Sequence, residues 1–132
     1  MNKKIDKETP SSPERARTQN KGIVLLVASD TLGRGEDSSL GSLLIKRFLH
    51  TIPGLTTKPD TIIFINNGAK LVTESSAVLG ELQLLEEQGI QMLACGTCLQ
   101  RFELIDKVKA GRVSDMYAIA DMLLNSEKVI SI

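Results

Sequence analysis

The run Gly22-Ile23-Val24-Leu25-Leu26-Val27-Ala28-Ser29 constrains this chain most. It is apolar without alternation and carries β-branched residues. A strand with one solvated face would alternate, so this one must be covered on both faces. Residues 61–66 (TIIFIN) and 90–94 (IQMLA) have the same character, and residues 128–132 (KVISI) add a last strand. Residues 111–113 are predicted as a very short strand between them.

Helical spacing fills the gaps. Over residues 38–50, Leu40, Leu43, Leu44 and Phe48 recur as one stripe, and Ile52-Pro53-Gly54 closes that helix. Over 76–88, Leu79, Leu82 and Leu85 share a face, with Gly89 as the stop. A third helix is expected over 97–109, with Phe102 and Ile105 inward. A fourth is expected from a Ser114 cap through Asn125, with Met116, Ile119, Ala120 and Leu123 as its stripe. Strands alternating with helices imply an α/β fold, a three-layer α/β/α sandwich around a mainly parallel five-stranded sheet. Chemistry in such sheets collects at the carboxyl ends of the strands. Three loops are therefore expected to converge on one rim: residues 29–37, 66–70 and 95–97.

The chain has 132 residues, room for one domain, and no internal repeat. Hydrophobic residues make up 42% and aromatics 3%, without Trp, so the core must be aliphatic. Scarce aromatics argue against a single-stranded nucleic-acid platform. Lys+Arg and Asp+Glu number 16 each, which leaves no global field to draw nucleic acid or a membrane surface. Residues 1–20 are rich in charge, Ser and Pro and are read as a disordered leader or linker ahead of a domain over 21–132. No run of 18 apolar residues exists and the N-terminus lacks an apolar signal core. Two cysteines three positions apart would make a poor structural staple, so a cytoplasmic, reducing location is expected.

Cys95-Gly96-Thr97-Cys98 is the informative motif. Cys95 follows a buried strand directly. Thr97 and Gln100 have the spacing of a capping box, which would start a helix at Thr97 and set Cys95 beside its free N–H groups. That placement favours thiolate over thiol. Gly96 lets the backbone turn tightly and keeps the sulfur approachable. A thiolate there can attack a sulfane sulfur and hold it as a persulfide. Cys95 is the expected reactive residue, with Cys98 as its companion.

The same spacing is compatible with three more arrangements. Both cysteines can be small buried hydrophobes. A zinc site would have to be completed by a second chain, because one chain offers two cysteines and His50. A thioredoxin-type dithiol shares the spacing, but it needs a later proline and the last here is Pro59. No metal and no cofactor is expected. Gly33-Arg34-Gly35 lacks the third glycine of a dinucleotide fingerprint, Ser38 standing there. As a functional loop it would bring the Arg34 charge toward the thiolate or an acidic partner. Asn67 belongs to an Asn-Gly turn on the same rim. His50 is read as a surface or helix-dipole residue, and Tyr117 as packing.

Taken together, SDTLGRGEDSSLGSLLIKRFL, TIIFINNGAKL, LLEEQGIQMLACGTCL and GRVSDMYAIADMLL resemble the C-terminal DsrE-like domain of YedF proteins, described as sulfurtransferase-like and linked to selenium metabolism. The resemblance runs from about residue 21 to 132. It implies a DsrE/DsrF/TusD-like fold and a role in passing sulfur, or selenium, as a cysteine-bound atom. By placement Cys95 matches the family's active position, whereas Cys98 matches the YedF-like subgroup alone. The resemblance also implies a TusA-like sulfur carrier as partner and assembly into homo-oligomers. A non-catalytic module that docks such a partner would share the same features. The helix over 38–50 offers a surface for self-association, Ile45 and Leu49 extending its stripe beyond the core positions.

Overall fold

The computed structural model describes residues 22–132, so the expected leader lies outside the described residues. The elements in chain order are β1 (Ile23–Val27), α1 (Ser38–Thr51), a 3-10 turn (Ile52–Gly54), β2 (Thr61–Phe64), a 3-10 stretch (Asn66–Val72), α2 (Leu79–Glu87), β3 (Gln91–Cys95), α3 (Gly96–Arg101), β4 (Arg112–Ser114), α4 (Met116–Asn125) and β5 (Lys128–Ser131). The strands form one sheet in the order β4-β3-β2-β1-β5, and every neighbouring pair is parallel. The expected α/β architecture with a five-stranded parallel sheet is what the chain adopts.

Register explains the continuous apolar runs. Leu25, Val27, Ile62, Phe64, Met92 and Ala94 join one core cluster with Ile45 and Leu49 of α1 and Leu82 and Leu85 of α2. The residues between them, Val24, Ile63, Leu93 and Cys95, point to the other face and pack with Ile119 of α4. Both faces of the central strands are thus dry. The faces are unequal: among the described residues one cluster holds eighteen buried residues and the other five, with Ile119, Met122 and Leu123 of α4 on the second side. β5 lies at an edge, and Val129 and Ile130 stay exposed there.

Two helices sit differently from their expected stripes. α1 turns Gly41, Ile45 and Leu49 inward, while Leu40, Leu43 and Leu44 face solvent. The rotation is set at Gly41. A Cβ there would lie 2.7 Å from Thr31 Cβ, and the Gly41 carbonyl accepts from Leu32 N–H, so the smallest residue marks the closest approach. Asp37 caps the helix through Leu40 N–H at 3.1 Å. α4 is capped by Asp115, one residue beyond Ser114, and buries Ile119 while Met116 and Tyr117 are exposed. Tyr117 is 85% exposed and therefore does not serve as packing.

α3 is the clearest departure. It ends at Arg101, not near Lys109, because Glu103 adopts φ 60 and Leu104 N–H returns to the Leu99 carbonyl. The chain beyond then runs along the 3-10 stretch. Glu74 N–H bonds Lys107, Lys109 N–H bonds Val72, and Thr73 bridges Val108. Ile105 is exposed as a result.

Candidate functional site: two thiols at the carboxyl end of the third strand

β3 delivers Cys95 as its last residue, and the same residue is the N-cap of α3. No side chain caps that helix, so the Thr97–Gln100 capping box does not form. The physical reason is register: the helix starts at Gly96, which puts Thr97 inside its first turn. Gly96 packs tightly, since a Cβ would lie 3.1 Å from the Ser114 carbonyl oxygen. Cys95 itself is 1% exposed and belongs to the smaller core cluster. Its sulfur is not open to solvent, contrary to the expected role of Gly96.

Cys98 is the half-buried thiol of the pair and packs against both core clusters. The Asn66 backbone N–H donates to its sulfur at 3.1 Å. That donor is aimed by an unusual backbone. Asn66 follows the β2 segment with φ 52, a left-handed conformation that Asn tolerates better than most residues. Two residues on, Gly68 lies flat against β1, where a Cβ would be 2.2 Å from the Val27 carbonyl oxygen. This segment is therefore more than a turn: Asn66 points an amide at sulfur and Gly68 permits the close approach.

Burial pushes the Cys98 thiol above the ordinary range, the hydrogen bond with Cys95 and the nearby Cys95 charge push it further, and the Asn66 amide works the opposite way. The resting pair is thus held toward its protonated form at Cys98.

Cys98 opens on a pocket of ≈ 490 Å³ lined by Asn66, Thr97, Gln100, Arg101 and Phe102. Lys70 lies over the Phe102 ring at 4.5 Å from its centroid. The lining holds a cation and no carboxylate. Arg101 and Phe102 are not among the residues that the sequence singles out for a site, and Asn66 enters it as the first residue of the rim loop expected over 66–70. The positive φ of Asn66 and the early end of α3 bring them in, and neither has a periodic signal.

Of the residues expected at the rim, Cys95, Gly96, Thr97 and Cys98 gather here. Asn67 is exposed one residue from the bonding amide. Gly33, Arg34 and Gly35 do not line this pocket. Gly33 and Arg34 line a separate hollow with Ser131 and Ile132, because β1 and β5 lie beyond β2 in the sheet. His50 is exposed and faces Glu81 at 3.6 Å. Among the described residues no group of three or more His, Cys, Asp or Glu is placed to hold a metal ion, and no helix is long and apolar enough to cross a membrane.

Residues 23–132 match the model of the DsrE/DsrF-like family. The chain belongs to that family. No curated protein matches it by sequence. The DsrE/DsrF-like fold is shared with the YchN protein of E. coli, at 13% identity and a TM-score of 0.65 over 85% of this chain and 99% of that one. It is shared also with MTH1491, a protein of unknown function from Methanobacterium thermoautotrophicum, at 17% identity and a TM-score of 0.56 over 83% and 99%. BT1422 of Bacteroides thetaiotaomicron, of unknown function too, gives 20% identity and 0.56 over 83% and 94%.

Proposed function

We propose that this DsrE/DsrF-like chain accepts a sulfane sulfur, or its selenium counterpart, on Cys98 and carries it to a partner as a cysteine-bound atom. The observation that supports the reading is the Cys98 thiol at the pocket wall with the Asn66 amide 3.1 Å from its sulfur. A bound persulfide is anionic at its outer sulfur. An amide donor and the Arg101 guanidinium favour that charge, and the lining has no carboxylate to oppose it. Cys95 matches the family position by sequence, but its burial argues that a donor reaches Cys98 first.

The acceptor in this reading is a TusA-like sulfur carrier, and the setting a reducing cytoplasm where both thiols stay free. Self-association belongs to the same proposal, with the exposed Leu40, Leu43 and Leu44 of α1 as the surface to examine.

Mass spectrometry after anaerobic incubation with inorganic polysulfide tests the carrier role. The Cys95→Ser chain should gain one sulfur atom, mapped to the peptide that contains Cys98. The Cys98→Ser chain should gain none. Sulfur found on Cys95 in the latter variant would move the role to Cys95, and no gain in any chain would end the carrier reading.

A further inference from the structure

Cys95 is a nucleophile that the carrier role leaves unused. It is 1% exposed, so no protein or small-molecule donor reaches it from solvent. It nevertheless belongs to the small core cluster against which Cys98 packs. The two residues are the N-cap and the third residue of α3. Three residues of helix rise about 4.5 Å, within the Cα separations of about 4.4–6.8 Å that a disulfide spans.

We propose that Cys95 is an internal resolving thiol, which attacks Cys98 after it has been loaded and releases the outer sulfur as hydrosulfide. The inference rests on the carrier reading and adds a second fate for its cargo. The Cys95 sulfur bonds to the Cys98 sulfur, and the bond from Cys98 to the outer sulfur breaks. The outer sulfur leaves with the electron pair of that bond and takes the proton of the Cys95 thiol. The outer, sulfane sulfur is reduced to sulfide, and the two cysteine thiols are oxidised to one disulfide. A small-molecule dithiol then reduces the disulfide and resets the pair.

The arrangement makes the outcome a competition. A docked acceptor removes the outer sulfur directly and leaves Cys98 as a thiol. With no acceptor in place, the attack from within clears the site. The buried position suits this task, because donors in solution do not reach Cys95. The proximity of the two thiols replaces a bimolecular reaction with an intramolecular one.

The test uses the full chain loaded with inorganic polysulfide under anaerobic conditions, freed of excess reagent and left without added thiol. Hydrosulfide is trapped with a bimane reagent while the protein mass is followed. The parent chain should release one hydrosulfide per loaded chain and end two hydrogens lighter than the reduced protein, with Cys95 linked to Cys98. Cys95→Ser and Cys95→Ala should load at Cys98 and hold the sulfur at least about a hundredfold longer, as expected when a positioned attacking group is removed. Two variants are used because a hydroxyl and a methyl perturb a buried site differently, and circular dichroism checks that each is folded. If the parent loads at Cys98 but keeps its sulfur, or if both variants release hydrosulfide at the parent rate, the resolving role is wrong and the carrier role survives. If no chain loads, both fall together.

Discussion

Asn66 carries the geometry of the site on a single backbone angle. Its φ of 52 aims the amide at the Cys98 sulfur, and a β-branched residue cannot take that conformation cheaply. Asn66→Val should lose about 1–2 kcal/mol in chemical denaturation, whereas Asn66→Gly should stay near the parent and keep Cys98 reactive. Gly68→Ala places a methyl 2.2 Å from the Val27 carbonyl oxygen, so β1 or the 3-10 stretch must shift, at a cost of about 1–3 kcal/mol. The thiols give a second prediction at this scale. Alkylation of Cys98 should keep rising with pH beyond the ordinary thiol value of about 8.5, because burial and Cys95 both oppose its ionisation. Cys95→Ala removes the second of those causes and leaves burial in place, so the titration read from labelling rates should move down. An unchanged midpoint would mean that Cys95 exerts no influence on its neighbour.

At the scale of elements, α1 shows how a leucine-rich helix can mislead. Leu40, Leu43 and Leu44 form a convincing stripe in the sequence, yet the packed positions are Gly41, Ile45 and Leu49. Leu49→Ala should therefore cost about 2–5 kcal/mol. Ile45→Glu should unfold the chain rather than dissociate an oligomer, which corrects the surface role first expected of Ile45 and Leu49. Leu40→Glu and Leu43→Glu should each stay within about 0.5 kcal/mol of the parent in a monomer, and light scattering then reports whether they lower the mass in solution. α3 teaches the complementary lesson. Its residues continue a helical pattern past Arg101, but hydrogen bonds from Lys109 and Ala110 to the Val72 carbonyl draw the chain alongside the 3-10 stretch. Tertiary pairing overrides local propensity there.

At the scale of the whole molecule, the parallel sheet buries Cys95 against α4 and leaves Cys98 half-buried beside it, and this links the site to stability. A thiol whose ionisation the fold opposes stabilises the native state fully below the ordinary thiol value and ceases to do so as pH rises through the raised one. The parent should accordingly lose stability on the alkaline side more steeply than Cys98→Ala. The difference between their pH profiles isolates this group from the lysines and Tyr117. Equal slopes would show that Cys98 ionises as freely in the folded chain as in the unfolded one.

The runs over 22–29, 61–66 and 90–94 determined the architecture without help, because a strand apolar at every position has no stable place except between two layers. CGTC likewise set its cysteines at the end of β3, since a cysteine directly after a buried strand must lie at the sheet's carboxyl edge. Which thiol meets the pocket was not written there. That depends on α3 starting at Gly96, which buries Cys95 and turns Cys98 outward. It depends also on the left-handed angle at Asn66, a residue far from Cys98 in sequence. The separation of the Gly33–Arg34–Gly35 loop from the cysteines follows from strand order, a long-range pairing that no local pattern encodes. Periodicity reports what each segment must bury; only the packed sheet decides which neighbour buries it.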